Sequence, residues 1–163
     1  MNVYVNDQAD GQLEESGGRW QLRFVRRLAH PQDKVWRALT EPQHRDAWFP
    51  QRIEADGDWV PGAHLEFVGD AVPEASFDGE LLVYDPPRTL EMRWGTDLLR
   101  FELAPDGDGT VLTLVNILTD LGTAARTAAG WHTCLDILAY TLAGRGADGG
   151  GFRAGHPVLD PES

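Results

Sequence analysis

The sequence predicts an α+β fold in which a curved antiparallel sheet of about seven strands wraps around a long C-terminal helix. Two observations carry this prediction. Short strand-like runs are separated by turn signals over most of the chain, and a helical stretch with one apolar stripe follows them. Such a helix must lie on an apolar surface, and the sheet is the only candidate. Two short helices are expected between strands 1 and 2.

The first strand and the two short helices are predicted between residues 20 and 50. Apolar and other side chains alternate over residues 20–25, which is typical of a strand with one buried face. Pro31 ends this strand and suits the first position of a helix, where its missing N–H costs nothing. Thr40 is expected to cap the second short helix, and Pro50 stops it.

The remaining strands are each bounded by Gly, Pro or Asp residues that favour tight turns. Short turns between consecutive strands favour antiparallel pairing. The expected strands are residues 52–55, 64–68, 76–84, 89–94, 97–103 and 110–118.

The long helix is predicted over residues 123–143, which contain no proline and a single glycine, Gly130. Gly144 is placed to end the helix. Four large apolar residues repeat at i, i+4, i+7 and i+11 and form one stripe of an amphipathic helix. They are Trp131, Leu135, Leu138 and Leu142.

Composition indicates one domain, residues 19–144, with a flexible tail at each end. The chain has 163 residues, which suits a single domain. Residues 1–18 and 145–163 carry too little apolar area to offset the entropy cost of ordering them, so both are expected to be flexible.

Charge and cysteine content restrict the classes of partner. The net charge is −12, and an acidic surface disfavours nucleic acid. No apolar run reaches the length of a membrane span, and the N-terminus lacks the features of a signal peptide, so no membrane partner is expected. The single cysteine, Cys134, fits a reducing compartment, and a cytoplasmic location is predicted.

A series of short motifs runs through nearly all of residues 20–144 in a characteristic order and spacing. They are Arg26-x-Leu28-x-His30-Pro31, Val35-Trp36-x-Ala38-Leu39-Thr40-x-Pro42, Trp48-Phe49-Pro50, Gly79, Asp85-Pro86-Pro87-x-x-Leu90-x-x-x-Trp94, Gly109-Thr110 and Gly130-Trp131. Together they resemble the START-like (SRPBCC) helix-grip superfamily, and within it the activator-of-heat-shock-ATPase homologues (AHSA-like proteins).

The resemblance implies a deep apolar cavity between the sheet and the long helix. Members of the superfamily bind lipids, sterols, polyketides or other apolar molecules, some catalyse cyclisation, and some assist chaperones. The leading expectation is therefore that this chain binds a small apolar or aromatic ligand in an internal cavity. An enzyme of the polyketide cyclase/aromatase type is the alternative, and a chaperone-associated interaction module is the third. A chaperone or a second copy of the chain are the other partners considered.

The candidate ligand-binding residues are mostly aromatic side chains on the elements that should enclose the cavity. Trp48 and Phe49, just before Pro50, are placed to line or gate its mouth, whereas Trp36 is expected in the core. The full set is Trp48, Phe49, Trp59, Phe67, Phe77, Trp94, Phe101, Asn116, Trp131, Leu135 and Leu138.

Polar groups in the cavity would orient the ligand, but the strand register decides which ones face inward, since a slip of one residue reverses the two faces. The candidates are Glu66, Asp78, Arg93, Arg100 and Asn116. Asn116 interrupts an otherwise apolar strand face, which makes it the most conspicuous of the five.

The sequence shows no catalytic constellation, and neither a metal nor a cofactor is predicted. None of the five histidines has the spacing of a metal ligand. His132 and Asp136 lie at i and i+4 and are interpreted as a solvated surface pair, the alternative being an oriented base. His64 lies in a strand and could point into the cavity. Cys134 is interpreted as a small core residue rather than a nucleophile.

Overall fold

The secondary structure follows the predicted order along the chain, with one additional strand at the start. The computed structural model describes residues 11–69 and 76–144. The strands in these residues are β1 (Gln12–Ser16), β2 (Arg19–Leu28), β3 (Arg52–Ala55), β4 (His64–Val68), β5 (Phe77–Asp85), β6 (Thr89–Trp94), β7 (Asp97–Asp106) and β8 (Gly109–Leu118). The helices are α1 (Gln32–Thr40), α2 (Pro42–Arg45) and α3 (Ala124–Leu142), and a 3₁₀ turn, Leu121–Thr123, precedes α3.

All strand pairs are antiparallel, and the strands form one sheet of eight in the order β1-β2-β8-β7-β6-β5-β4-β3. The predicted fold class is thereby confirmed. The sequence placed β3, β4 and β6 at the bounds observed, because each is flanked by turn residues that stop a strand.

Strand β1 lies within residues 1–18, which were expected to form a flexible tail. Gln12–Ser16 pairs with β2 through a two-residue turn at Gly17 and Gly18, whose φ angles are 60° and 82°. A hairpin turn of this kind needs positive φ at both central residues, which glycine adopts freely. The Gly-Gly pair was therefore a readable hairpin signal. Residues 1–10 and the expected C-terminal tail, 145–163, lie outside the described residues.

The start of α2 also differs from the expectation. Thr40 does not cap this helix: it is the last residue of α1, and its hydroxyl donates a 2.9 Å hydrogen bond to the Trp36 carbonyl. Glu41 takes the capping position, without a hydrogen bond from its side chain. A threonine within a helix commonly bonds back to the carbonyl four residues earlier, and this preference prevails here.

The core lies between the inner face of the sheet and the apolar stripe of α3. Alternate residues of β8 are buried along its whole length, as the period of a strand requires. The four predicted stripe residues of α3 are each no more than 4% exposed. Gly144, with a φ of 85°, follows the helix and donates its N–H to the Thr141 carbonyl, as expected of a terminating glycine.

Gly79 in β5 marks a place where the sheet strands approach too closely for any side chain. A Cβ atom built at this residue would lie 2.6 Å from the ring of Phe67 and would overlap the carbonyl oxygen of Arg93. Only glycine fits at this position of the β4–β6 part of the sheet.

No helix in residues 11–69 and 76–144 combines the length and the apolarity needed to cross a lipid bilayer.

Candidate functional site

A continuous cluster of aromatic rings lies between α3 and the curved sheet. Neighbouring rings are tilted or edge-to-face, with centroids 5.3–6.5 Å apart, which is the favoured range for aromatic pairs. The members of this aromatic cluster are Trp48, Phe49, Phe67, Phe77, Trp94, Phe101 and Trp131. The fold thus brings together seven of the eleven residues that were predicted to contact a ligand.

Trp48 and Phe49 lie inside the cluster, not at an open mouth. They are 2% and 6% exposed, respectively. The indole nitrogen of Trp48 donates a 2.8 Å hydrogen bond to the Ala38 carbonyl, which fixes the residues after α2 to α1. The ring of Phe49 contacts those of Phe67, Trp94 and Trp131.

Trp59 is placed apart from the aromatic cluster. Its ring contacts Tyr84 at 6.1 Å, and the guanidinium of Arg45 lies 5.2 Å from its centroid. Leu135 and Leu138 are buried on α3, and Trp36 is buried as expected.

An open cleft of about 440 Å³ adjoins the cluster at the end of the sheet where α3 begins. The rings of Phe77 and Trp94 supply its apolar surface. The other lining residues come from the first residue of β7 and from three connections, namely those between α2 and β3, between β6 and β7, and between β8 and α3. They are Gln51, Gly95, Thr96, Asp97, Thr119, Asp120 and Thr123.

A chain of hydrogen bonds connects the buried core to this cleft. The indole nitrogen of Trp131 donates to Oδ1 of Asn116 at 3.0 Å, and Nδ2 of Asn116 donates to Oδ2 of Asp97 at 3.1 Å. Because tryptophan can only donate and a carboxylate can only accept, these two partners fix the orientation of the amide. Oδ1 of Asp97 accepts from the backbone N–H of Thr119 at 2.9 Å. Asp97 is thereby held at the rim of the cleft.

Trp94 is fixed at the cleft in a similar way. Its indole nitrogen donates a 3.1 Å hydrogen bond to Oε1 of Gln51 in the connection before β3. The centroid of its ring lies 5.3 Å from that of Trp131, in a tilted arrangement, and 5.5 Å from that of Phe77, in an edge-to-face arrangement. The aromatic surface of the cleft is therefore held in place by both packing and hydrogen bonding.

Of the five polar candidates, only Asn116 faces the interior, and it is fully buried. The others lie on the outer face of the sheet, where they form ion pairs with their neighbours. Arg100 bonds Glu91 and Glu102, and Arg93 lies 3.6 Å from Asp78. Glu66 is opposite Asp78 in the β4–β5 register, so both point outward.

His64 also points outward and not into the core. Its Nδ1 lies 3.2 Å from Asp56, and its Nε2 lies 3.6 Å from both Glu66 and Asp78. In the described part of the chain, His, Cys, Asp and Glu side chains form no group of three or more that could hold a metal ion.

His132 and Asp136 form the expected pair on the exposed side of α3, at 3.4 Å. Asp136 has a further role that the sequence did not indicate. Its Oδ1 accepts a 3.1 Å hydrogen bond from Arg26, a side chain on the inner face of β2 that is 9% exposed. The carboxylate thus serves as counter-ion to a buried arginine, which ties α3 to the sheet.

Cys134 lies beside the buried stripe of α3, and burial raises the pKa of its thiol to about 12. A thiol with such a pKa is almost entirely protonated near neutral pH, and the thiolate is the nucleophilic form. This agrees with the interpretation of Cys134 as a core residue.

Arg45 is a buried cation that sequence reasoning missed. It is 2% exposed, donates to the carbonyls of Thr40 and Ile53, and lies over the Trp59 ring. Desolvation lowers its pKa, and the nearby Asp46 opposes this effect. Its contacts join α2 to β3. They thereby hold in position the connection between these two elements, which contains Gln51.

The order of elements and the sheet wrapped around α3 define the START-like (SRPBCC) helix-grip fold. Residues 29–143 match a family model described as "Activator of Hsp90 ATPase homolog 1-like protein". Because this match spans more than half of the chain, the chain belongs to that family. No curated protein matches the chain significantly.

Solved structures show the same fold. A conserved protein of unknown function, EF2215 from Enterococcus faecalis, is 21% identical, with a TM-score of 0.67 over 81% of this chain and 76% of that one. CalU16 from Micromonospora echinospora is 24% identical, with a TM-score of 0.69 over 82% of this chain and 81% of that one. DynU16, from the dynemicin biosynthetic locus, is 25% identical, with a TM-score of 0.65 over 76% of this chain and 48% of that one.

Proposed function

We propose that the chain binds a small aromatic or apolar molecule in the cleft beside the aromatic cluster. The observation that carries this proposal is the surface formed by Phe77 and Trp94, two half-buried rings that face a space of about 440 Å³. Small-molecule sites typically have volumes of about 300–1,000 Å³, apolar walls and a few polar groups. The cleft has all three properties.

The proposed ligand lies at the cleft and not deeper between the sheet and α3. In that deeper region the ring of Phe49 contacts those of Phe67 and Trp131, and Trp131 also contacts Phe101. These rings serve as the rigid support of the ligand surface. A rigid support lowers the ordering cost of binding. The origin of DynU16 in a biosynthetic locus supports a small-molecule ligand for this fold.

An enzyme of the cyclase type is the second candidate, and two carboxylates favour it. Asp97 and Asp120 both line the cleft, where an acid or a base could reach a bound molecule. Each already accepts a hydrogen bond from a backbone N–H, of Thr119 and Gly122 respectively. Such bonds suit a carboxylate that only orients the ligand as well as one that acts in catalysis. Turnover of a bound ligand is the measurement that distinguishes a binding protein from an enzyme.

A chaperone-associated role has less support in the described surface. Docking onto a chaperone calls for a contiguous exposed apolar patch. In residues 11–69 and 76–144 the large apolar side chains that are exposed are Val60 and Leu121. A cytoplasmic location remains a prediction.

Titration with a neutral, environment-sensitive dye such as Nile red tests the proposal. Phe77→Leu removes one ring from the cleft and should weaken dye binding about fivefold, in line with the value of an aromatic contact. Trp59→Leu is the matched control, since Trp59 is a half-buried aromatic residue outside the cluster. It should leave binding within about twofold. Equal effects of the two substitutions, at equal thermal stability, would place the ligand elsewhere.

A further inference from the structure

The cleft combines an aromatic surface with polar atoms that mostly accept hydrogen bonds. The indole N–H of Trp94 is directed to Gln51 and not to the cleft. The hydroxyl of Thr119 donates to the Thr96 carbonyl at 2.5 Å, and that of Thr123 donates to the Asp120 carbonyl at 2.9 Å. Three of the donors around the cleft are therefore already bonded within the protein.

Two carboxylates, those of Asp97 and Asp120, are the charged acceptors among the described residues that line the cleft. Each oxygen of a carboxylate can accept two hydrogen bonds. The structure shows one bond to each oxygen of Asp97 and one to Oδ1 of Asp120. Both carboxylates therefore retain capacity for a donor from a ligand. Gln51 presents its amide nitrogen as a donor, but this group is neutral.

Within the part of the chain that the structure describes, the charge of the cleft lining has a single sign. In residues 11–69 and 76–144, nine residues line the cleft, and they include two aspartates and no lysine, arginine or histidine. In the β6–β7 hairpin, Arg93 donates to the Gly95 carbonyl at 3.0 Å and lies 3.6 Å from Asp78 on the outer face. The positive end of the helical segment that Asp120 precedes partly offsets the negative charge of Asp120, which accepts a hydrogen bond from the Gly122 N–H. Asp97, at the start of β7, has no such compensation.

We propose that the cleft selects an aromatic ligand that carries a protonated amine, in preference to the same ring with a carboxylate. This inference rests on the proposed function, since it specifies the ligand of the same site. The ring packs on Phe77 and Trp94, and the ammonium group donates to Asp97 or Asp120. A cation beside tryptophan gains further from the negative face of the indole ring. A carboxylate in the same position meets two like charges.

Three ligands with one naphthalene ring test this selectivity on the full-length protein: 1-naphthylmethylamine, 1-naphthalenemethanol and 1-naphthoate. Binding is followed by ¹H–¹⁵N NMR shifts of the Trp94 indole N–H and of the Gly95 and Thr96 amides. The amine should bind about fivefold more tightly than the alcohol, which is the scale of a partly exposed ion pair. The carboxylate should bind about fivefold more weakly than the alcohol, for the same reason.

Charge-neutralising variants test whether the two cleft aspartates cause the preference for the amine. Asp97→Asn and Asp120→Asn should each reduce the preference for the amine over the alcohol, whereas Asp78→Asn, on the outer face, should leave it unchanged. Asparagine is as good an N-terminal helix cap as aspartate, so Asp120→Asn preserves the turn before α3 even if Asp97→Asn disturbs the bond to Asn116.

The outcomes separate the two proposals. Binding of all three ligands at the cleft with equal affinity overturns the amine selectivity and leaves the proposed function standing. A preference for the amine that persists in both cleft variants also overturns it, because the attraction then comes from the net charge of the whole chain. Absence of any shift at Trp94 with all three ligands contradicts the proposed function itself.

Discussion

The indole nitrogen of Trp131 on α3 donates a 3.0 Å hydrogen bond to Oδ1 of Asn116 on β8, and both side chains are buried. This bond joins the long helix to the centre of the sheet, and through Asp97 it reaches the candidate cleft.

Replacement of Trp131 by phenylalanine keeps an aromatic ring in the cluster but leaves the Asn116 carbonyl without its buried donor. The free energy of unfolding should fall by about 1–3 kcal/mol, the cost of an unsatisfied buried polar group. Trp20→Phe is the control, since the Trp20 indole nitrogen meets no acceptor in the described part of the chain, and it should cost about 1 kcal/mol or less. Urea unfolding measures the loss of stability in both variants. Equal losses in the free energy of unfolding would show that the hydrogen bond contributes little.

Truncation along α3 should distinguish its two faces. Leu135 is 1% exposed, so Leu135→Ala should cost about 2–5 kcal/mol, the range for a buried leucine. His132 is 39% exposed at its side chain, and His132→Ala should stay within about 0.5 kcal/mol of the wild type. Denaturant melts of the two variants provide the comparison. Similar losses would mean that the apolar stripe has been assigned to the wrong face.

Alanine at two glycines should change stability in opposite directions. Gly79→Ala places a methyl group against Phe67 and the Arg93 backbone, so it should cost about 1–3 kcal/mol or more. Gly130 lies within α3 with nothing within 4 Å of its would-be Cβ, and Gly130→Ala should stabilise the protein by about 0.5–1 kcal/mol. Differential scanning calorimetry measures both shifts, and a neutral Gly79→Ala variant would refute the close approach of the strands.

The thiol of Cys134 should be unreactive in the folded protein. Its pKa is raised to about 12 by burial, so at pH 8 only about one thiol in 10⁴ is ionised. Alkylation by iodoacetamide should therefore be at least about a hundredfold slower in buffer than in concentrated urea. The chain has one cysteine, so mass spectrometry of the intact protein follows this site alone. Equal rates in the two conditions would indicate an accessible, ionised thiol.

The positions of the strands and helices could be predicted from the sequence because their signals are local. Strand β6 has the predicted bounds because turn residues stop it at both ends, and the stripe of α3 follows from the period of a helix. Strand β1 was missed because its weakly apolar sequence was judged by composition, whereas pairing with β2 stabilises it. The set of aromatic residues was also readable, since these side chains occur on the elements that enclose the core.

The candidate cleft was not readable from the sequence. Its polar residues come from the start of β7 and from three connections that lie far apart along the chain, and nothing local distinguishes Asp97 or Asp120 from other aspartates at turns. The burial of Trp48 and Phe49 within the cluster is likewise a result of packing, since proximity to Pro50 could not decide between a core residue and a gate.

The sequence by itself therefore determined the fold class, most of the strand and helix positions and the aromatic content of the core, because period and turn preferences act over a few residues. Only the tertiary structure decided which face each polar side chain occupies. Asn116 points inward, and Glu66, Arg93 and Arg100 point outward, because the pairing register of the strands sets the direction of every second side chain. Register depends on contacts between residues distant in sequence, and the cleft depends on it in turn.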